Sequence, residues 1–149
     1  MRYQQEFLSS VYIEIQALIQ LHWEQIALNK DEIKLNPDWD QYEAAEARGV
    51  LKVFTARDDG VLVGYFVVLA QRSMHYKDHI FAYNDVLFLH PDYRKGLAGM
   101  KLLKVAEKFL KQDGVSLLIV NTKVHKPFDA LLERMGYTHI ENNFSKRLN

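Results

Sequence analysis

The N-terminal third of the chain carries a helical pattern of apolar residues. Apolar side chains recur there every three or four residues, as an amphipathic helix requires: Phe7, Leu8, Val11, Tyr12, Ile15, Leu18, Ile19, His22 and Ile26. We therefore predict a helix over about residues 5–28, with His22 on its apolar face as a hydrogen-bonded core residue. Asn36 and Pro37 suit the start of a second helix, as its cap and first turn, and Gly49 would end it.

The middle of the chain changes to runs rich in β-branched and apolar residues. Residues 50–57 and 61–69 form two such runs, and Asp58-Asp59-Gly60 joins them as a tight turn, so they predict a hairpin. Residues 81–89 predict the next strand, and residues 115–120 predict a buried strand after the Asp-Gly break before them.

The C-terminal part begins with a short predicted helix over residues 127–135, which Gly136 would end. Beyond it, Asn142-Asn143 separates two short runs, residues 137–141 and 144–148. Asparagine pairs favour tight turns, so these runs predict a terminal hairpin.

Helices and strands thus alternate, without repeats or low-complexity linkers. This order predicts a single α/β domain over residues 1–149, with one mixed, mostly antiparallel sheet flanked by helices. Residues 1–49 form its helical N-terminal region and residues 50–149 its core.

Composition narrows the class of protein. The chain has 149 residues, of which 48% are hydrophobic and 26% charged, and this is typical of a globular domain. It has no cysteine, which excludes disulfides, thiolate catalysis and cysteine metal sites, and the six histidines show no metal-ligand spacing. The chain shows no apolar run of membrane-spanning length and no signal-peptide pattern, so we expect a cytoplasmic protein without a membrane partner.

Charge is unevenly distributed although the net charge is zero. Residues 1–93 hold 8 Lys and Arg against 14 Asp and Glu, whereas residues 94–149 hold 11 against 5. A polyanionic ligand would suit the C-terminal part and a cationic one the N-terminal part. Nucleic-acid binding would need a denser basic patch than this chain offers.

One stretch of the chain combines a strand, a glycine-containing basic turn and a helix. Residues 86–89 form a buried apolar run that Pro91 ends, and Arg94-Lys95-Gly96 follows with Gly99 close behind. Apolar residues at helical spacing come next: Leu102, Leu103, Ala106, Phe109 and Leu110. Free N–H groups and the positive end of a helix dipole meet at such a turn, which therefore predicts a phosphate site.

Residues 84–109 resemble the signature of the GNAT acyl-CoA N-acyltransferases. Arg94 and Gly99 match the ends of that signature, while Leu97 stands where its first glycine is expected and Gly96 lies one place earlier. The resemblance extends over roughly residues 50–148 and includes the hairpin and the Met135-Gly136-Tyr137 step. Residues 1–49, where the family normally builds acceptor specificity, show no counterpart of its usual first strand.

The resemblance implies a GNAT-like fold and the transfer of an acetyl group from acetyl-CoA to an amine, by direct attack in a ternary complex. It implies that the strand before the signature lies beside pantetheine and the acyl group, and that the turn binds the pyrophosphate. The residues at these positions are Leu87, Phe88 and Leu89 in the strand and Arg94, Lys95, Gly96, Leu97, Ala98, Gly99 and Met100 in the turn.

Two residues are candidates for proton transfer. Asp85 lies six residues before Pro91, where many family members carry an acidic base, and burial in its apolar run would raise its basicity. The strand period places Asp85 on one face with Leu87 and Leu89 unless a bulge intervenes. The alternative is a solvent-facing or structural carboxylate. Neighbouring polar residues could assist: His75, His79, Tyr83 and Asn84.

The family commonly uses a tyrosine four residues before the helix-ending glycine to protonate the leaving thiolate, and here that position is Leu132. His125 lies near the family's frequent asparagine and could bind pantetheine or donate the proton. The alternative is a capping or exposed histidine.

Two other functions stay open at this point. The chain could be a non-catalytic GNAT-like domain that binds CoA or a protein, or a nucleotide-phosphate binder that uses the same turn. The acceptor is undefined and could be a small molecule, a protein lysine or a peptide N-terminus. The sequence also leaves a homodimer open.

Overall fold

The computed structural model describes residues 1–149, and ten elements follow one another along the chain. They are β1 (Arg2–Glu6), α1 (Leu8–Ile26), α2 (Trp39–Ala47), β2 (Leu51–Asp58), β3 (Val61–Arg72), β4 (Ile80–Leu89), a 3-10 turn (Pro91–Tyr93), α3 (Ala98–Gln112), β5 (Val115–Ile119) and α4 (Asp129–Arg134). None of the helices is both long and apolar enough to cross a membrane.

The five strands form one sheet in chain order, β1-β2-β3-β4-β5. The first four strands pair antiparallel and β5 pairs parallel to β4. Asp59 and Gly60 have positive φ, of 48° and 82°, and close the tight β2–β3 turn. The mixed, mostly antiparallel sheet predicted from the sequence is therefore confirmed.

Each face of the sheet carries its own core, because successive side chains of a strand point to opposite sides. Phe54 and Phe66 pack with Leu102 of α3 on one face. Val53 and Tyr65 pack with α1 and α2 on the other face. The sheet is thus sandwiched between α3 and α4 on one side and α1 and α2 on the other.

The first strand corrects the prediction for the N-terminus. Gln5 and Glu6 belong to β1 and pair with β2, and α1 begins only at Leu8. Arg57 of β2 holds this strand through its ion pair with Glu6, with a 3.0 Å Nε–Oε2 distance, and also donates to Glu14 of α1. A polar strand held by pairing and ion pairs leaves no apolar alternation in the sequence, so the pattern could not indicate it.

The second helix begins later than predicted. Asp38 is its N-cap, because its side chain accepts the backbone N–H of Gln41 at 3.1 Å, and the helix proper starts at Trp39. Asn36 and Pro37 belong to the preceding connector and not to the cap and first turn. Gly49, with a φ of 75°, follows the helix end as predicted.

The predicted terminal hairpin does not form. Residues 138–149 contain no strand, and the last backbone hydrogen bond runs from the N–H of Tyr137 to the carbonyl of Leu132. An isolated two-stranded ribbon has little stability without a third strand or a helix against its apolar face. In this chain neither covers the segment.

Candidate functional site

The parallel strands β4 and β5 separate part of the way along their length. Pairing ends at Tyr83 and Ile119, while β4 continues to Leu89. The side-chain oxygen of Asn84 accepts the backbone N–H of Asn121 where the two chains part. The carboxyl-terminal half of β4 therefore has no partner on its β5 side, and a gap opens there.

This gap is one end of a cleft of about 630 Å³. Its walls come from β4 after Tyr83, the last turns of α1, the start of α3 and the β5–α4 connection. Seven residues predicted for the site line it: Asp85, Leu87, Phe88, Leu89, Arg94, Gly99 and His125. The other five, Lys95, Gly96, Leu97, Ala98 and Met100, do not line it.

The turn before α3 reaches the cleft at Arg94 and Gly99. Gly96 adopts a φ of 88°, so the left-handed residue of the turn is this glycine, and Leu97 is the N-cap with an ordinary φ of −104°. After Arg94, whose N–H donates to the Pro91 carbonyl, the next backbone donor with an intramolecular acceptor is Lys101, bonded to the Leu97 carbonyl at 2.9 Å. The six N–H groups from Lys95 to Met100 are free, as at a helix end that binds an anion.

Gly99 leaves room beside the cleft wall. A Cβ atom there would lie 3.5 Å from a Leu131 methyl and 3.9 Å from a Leu89 methyl, which are ordinary contacts. A larger side chain at this position would therefore enter the cleft without disturbing the backbone.

Arg94 is turned inward, toward β4 and α1. Its Nε–H donates to the Leu89 carbonyl at 2.7 Å, and its Nη2 donates to the side-chain oxygen of Gln25 at 2.7 Å. The guanidinium also lies 5.7 Å from the ring centre of Phe88. Burial lowers the pKa of Arg94 from its ordinary value. The residue thus links the end of β4 to α1 and places a positive charge in the cleft wall.

Asp85 is the extra residue of a β-bulge. Val67 pairs with Val86 and Val68 with Asn84, so Asp85 has no partner on β3. Val86 packs on the α1 and α2 side and Leu87 on the α3 side. The bulge turns Asp85 toward α2, so the exception stated for the strand period applies, and Asp85 does not share a face with Leu87 and Leu89. The two-residue alternation of a strand fails at a bulge, because the inserted residue changes which face the following side chains occupy.

Tyr42 of α2 holds the Asp85 carboxylate. Its hydroxyl donates to Oδ2 of Asp85 at 2.6 Å. Burial, followed by this hydrogen bond and the negative charge, raises the pKa of Tyr42. Asp85 itself is exposed and not buried in its apolar run, contrary to one of the two alternatives. Its Oδ1 has no protein partner and is open to the solvent side of the cleft.

His22 lines the cleft and is only 7% exposed. Its ring centre lies 5.0 Å from that of Phe88 and 6.4 Å from that of Tyr65. It makes no hydrogen bond to the protein, so the predicted hydrogen-bonded core histidine is wrong in that respect. Burial, with the nearby charges of Arg94 and Lys123, lowers the pKa of His22 to about 4. Aromatic packing and cationic neighbours therefore keep it neutral.

His125 joins the β5–α4 connection to the end of α1. Its Nε2–H donates to the Ile26 carbonyl at 3.0 Å, and the exposed ring borders the cleft. Leu132, at the position of the family's tyrosine, is buried in the core on the α3 side. His79 lies at the far end of β4, where its Nδ1 is 2.8 Å from Ser116 Oγ, and His75 lies in the same β3–β4 loop.

Besides Tyr42, three features of the site were missed in the sequence. Gly64 lets β3 approach β4, because a Cβ there would lie 2.8 Å from a Leu89 methyl and 3.0 Å from the Phe88 carbonyl. A glycine inside an apolar strand was the available signal. Tyr65 has a fully buried hydroxyl without a partner, and burial raises its pKa. No sequence pattern indicated Gln25, because only the fold brings it to Arg94.

No three histidine, aspartate or glutamate side chains lie close enough together to hold a metal ion. The site consists of a turn with free backbone N–H groups, a gap between parallel strands and a carboxylate that accepts a tyrosine hydroxyl.

The chain belongs to the acetyltransferase (GNAT) family, whose model matches residues 15–137. It is therefore an N-acetyltransferase by family, and the resemblance seen in its signature is confirmed. No curated protein sequence matches it significantly.

Solved structures share the fold at low sequence identity. An aminoglycoside acetyltransferase, meta-AAC0020, from an uncultured soil metagenomic sample in complex with sisomicin, superposes with a TM-score of 0.76 at 16% identity, over 99% of this chain and 96% of that one. A ribosomal-protein-alanine N-acetyltransferase from Brucella melitensis biovar Abortus 2308 gives 0.72 at 19% identity, over 99% of both chains.

A predicted acetyltransferase from Clostridium acetobutylicum with acetyl-CoA gives a TM-score of 0.70 at 10% identity, over 98% of this chain and 95% of that one. At these identities the likeness concerns the fold, and it confirms the GNAT-like architecture predicted for the domain.

Proposed function

We propose that this protein binds acetyl-CoA in the cleft between β4 and β5 and transfers the acetyl group to an amine that enters from the α1 and α2 side. One observation carries the proposal: the turn with six free N–H groups, from Lys95 to Met100, adjoins the cleft that Gly99 lines together with the unpaired end of β4. Members of the GNAT family generally bind acetyl-CoA, and one structural neighbour is described with it.

The residues present fit the parts of acetyl-CoA. The free N–H groups of the turn and the positive end of the α3 dipole suit the pyrophosphate. The backbone of Leu87, Phe88 and Leu89, which lacks a β5 partner, offers donors and acceptors to the pantetheine amides. Arg94 and Lys123 in the cleft wall add positive charge.

The acceptor amine attacks the thioester carbonyl carbon directly, the carbon–sulfur bond breaks and the thiolate leaves. Asp85 takes the proton that the amine must lose, through its free Oδ1 or through water, while Tyr42 holds Oδ2. For an amine with a pKa of about 10.4, deprotonation at pH 7 costs roughly 4–5 kcal/mol, so a positioned base matters. The absence of cysteine agrees with a route without a thioester-linked enzyme.

The thiolate leaves without a protein acid in this proposal. Leu132 stands in the family's tyrosine position and cannot donate a proton. His125 uses its Nε2–H for the Ile26 carbonyl and would have to give up that bond to act as the acid. Its role in the proposal is to hold the β5–α4 connection against α1.

The acceptor in this proposal is a cationic amine. Asp38 and Asp40 flank Trp39 at the start of α2, beside Tyr12 and on the same side of the sheet as Asp85. Carboxylates and aromatic faces both attract ammonium groups. The fold neighbours described as aminoglycoside and ribosomal-protein-alanine acetyltransferases indicate which amines to test first.

The test combines binding and turnover. Calorimetry should detect acetyl-CoA binding at micromolar affinity or better. A release assay for free CoA should then find turnover with at least one class among aminoglycosides, peptides with a free N-terminus and lysine peptides. A wild-type protein that does not bind acetyl-CoA would overturn the proposal.

A matched pair of variants locates the site. Gly99→Val fills the cleft and should abolish acetyl-CoA binding while the circular dichroism spectrum is unchanged. Gln112→Val introduces the same residue at the exposed far end of α3 and should bind normally. Equal binding by the two variants would remove this turn from the site.

A second candidate function is CoA binding without catalysis, which the leucine at position 132 favours. Tight acetyl-CoA binding with no acetyl transfer to any tested amine class, at any pH up to 9, would select it over the enzyme.

A further inference from the structure

His22 of α1 is a buried polar side chain that the rest of the chain leaves without a partner. It is 7% exposed, makes no hydrogen bond within the protein and lines the cleft. Buried polar groups in folded proteins are nearly always hydrogen-bonded. Because the imidazole borders the cleft, a group bound there can supply the missing partner.

A second unpartnered polar group lies beside His22 and differs from it in one respect. The hydroxyl of Tyr65 is fully buried without a partner, but Tyr65 is not part of the cleft wall. Both rings pack against Phe88, with ring centres 5.0 Å away for His22 and 5.6 Å away for Tyr65. Of the two polar groups, only the imidazole is therefore within reach of a bound ligand.

The position of Phe88 indicates which part of a ligand His22 would meet. Phe88 belongs to the half of β4 that has no partner on its β5 side, and its ring packs on the α1 and α2 side of the sheet. Asp85 lies three residues earlier, roughly 10 Å along an extended strand. This spacing leaves room for a carbonyl group, an attacking amine and a bridging water between His22 and Asp85.

The charges around His22 favour an oxygen atom that gains negative charge. Burial, with the neighbouring cations Arg94 and Lys123, lowers the pKa of His22 to about 4, so the imidazole is neutral. The same two cations repel an ammonium group and stabilise an oxyanion. A neutral imidazole still carries one N–H, and it can polarise a carbonyl without losing that proton.

We propose that His22 is a catalytic residue that donates its N–H to the carbonyl oxygen of the acetyl thioester. The inference rests on the function proposed above and adds one group to that reaction. The amine lone pair forms the carbon–nitrogen bond, and the carbonyl π electrons move to the oxygen, where the N–H of His22 stabilises them. When the carbonyl re-forms, the carbon–sulfur bond breaks and its electrons leave with the thiolate, while the amine proton passes to Asp85.

The first test needs acetyl-CoA but no acceptor. A hydrogen bond to a carbonyl oxygen moves the carbon-13 NMR signal of the labelled carbonyl carbon to higher frequency. Bound to the wild-type protein, labelled acetyl-CoA should show this shift relative to the free compound. His22→Phe keeps a ring and removes both nitrogens, so most of the shift should be lost. His139→Phe makes the same change at an exposed position outside the cleft and should keep the shift.

The second test measures turnover with an amine that the acceptor screen identifies. His22→Phe should lower kcat by roughly 10²–10³-fold, as for loss of one oxyanion donor. The acetyl-CoA dissociation constant and the KM for the amine should not change, because the hydrogen bond is strongest in the transition state. His22→Leu, which also lacks the nitrogens, should behave alike, so the result does not depend on how the phenylalanine ring packs.

Conservative variants separate hydrogen bonding from packing. His22→Asn and His22→Gln place an uncharged N–H donor near the positions of Nδ1 and Nε2, so one of the two should recover about tenfold or more of the lost kcat. If His22 only packed against Phe88, His22→Phe would retain more activity than either amide variant, and that order would contradict the proposal.

The remaining outcomes separate this inference from the proposed function. A protein that does not bind acetyl-CoA would overturn both. Bound acetyl-CoA with the same carbonyl signal in the wild-type protein and His22→Phe would overturn only the role of His22, and the backbone of β4 would then hold the carbonyl alone. A raised KM for the amine with unchanged kcat in His22→Phe would also overturn it, because His22 would then contact the acceptor.

Discussion

The two ends of the cleft are built from different parts of the chain. The proposed phosphate end uses backbone N–H groups from Lys95 to Met100, and the side chain of Leu97 there is 57% exposed and outside the cleft. The proposed amine end uses side chains from two elements, Asp85 of β4 and Tyr42 of α2. Only the fold brings these two together.

This difference has a consequence for substitution. A backbone site depends on φ and ψ, so it tolerates side-chain changes that keep the turn and leave the cleft open. A side-chain site depends on individual atoms, so a change of one functional group removes its contribution. Substitutions should therefore have large effects at the amine end, and small ones at the phosphate end where they leave the cleft open.

The largest effect is expected at the amine end. Asp85→Asn keeps the shape and removes the base, so kcat should fall by roughly 10²–10⁴-fold, as for loss of a positioned acid or base. The dissociation constant for acetyl-CoA should not change, and higher pH should partly restore kcat because more acceptor is then free amine. Asp92→Asn changes an exposed carboxylate outside the cleft and serves as the control. Wild-type kcat at pH 7 in Asp85→Asn would leave deprotonation to solvent.

The neutral imidazole of His22, in the cleft wall, should make the stability of the fold sensitive to acid. Its folded pKa of about 4 lies below the ordinary 6.5, so the unfolded state takes up the proton first as pH falls. Stability is thus fully present above pH 6.5 and is lost toward pH 4. Between pH 7 and 5 this should cost about 2 kcal/mol of unfolding free energy, measured by urea titration.

His22→Leu should remove this part of the fall in unfolding free energy at low pH. His75→Leu, in the exposed β3–β4 loop, should show the same fall as the wild-type protein. An equal pH dependence in the wild-type protein and His22→Leu would assign the loss to other groups.

A smaller effect is expected for Tyr42, which positions the base and does not exchange the proton. Tyr42→Phe should lower kcat by about tenfold, because a hydrogen bond to a charged group is worth roughly 1.5 kcal/mol. The acetyl-CoA dissociation constant should not change. Tyr12→Phe alters the same aromatic cluster, where Tyr12 lies 4.9 Å from Trp39, without touching Asp85. Similar kcat values for the two variants would mean that Tyr42 is only a packing residue.

The smallest effect is expected at the phosphate end. Leu97→Ala keeps the N–H and the ordinary φ of this position, so acetyl-CoA affinity should change by less than about threefold, as at most surface positions. Gly99→Val, measured by the same calorimetry, shows how large the change is when acetyl-CoA binding is lost. A large loss in Leu97→Ala would show that its side chain, and not the backbone alone, contacts the cosubstrate.

The phosphate end could be predicted from the sequence because it is local. A strand, a proline, a glycine turn and an apolar helical period lie within residues 84–109, and the resemblance added Arg94 and Gly99 at the right places. The structure keeps this order, and it shows that Gly96 takes the left-handed position that Leu97 could not take without strain.

The amine end and the two termini could not be predicted in the same way. Tyr42 meets Asp85 across 43 residues, and nothing in either neighbourhood indicates the contact. β1 is polar and is defined by its pairing with β2, while the Asn142-Asn143 turn signal lacks the third strand that would make it a hairpin. The pattern of apolar and polar residues within one segment does not indicate which distant segment it pairs with.

The bulge in β4 makes Asp85 dispensable to the strand that carries it. Ile80 and Ala82 before the bulge face the α3 side, as does Leu87 after it, whereas Val86 and Phe88 face α1. If Asp85 were deleted, Val86 would follow Asn84 directly and every apolar residue would keep its present face. A one-residue deletion further along β4 would instead exchange the two faces beyond it. In a sequence alignment, a relative without this residue would therefore show a one-position gap, an intact sheet and no carboxylate in the cleft.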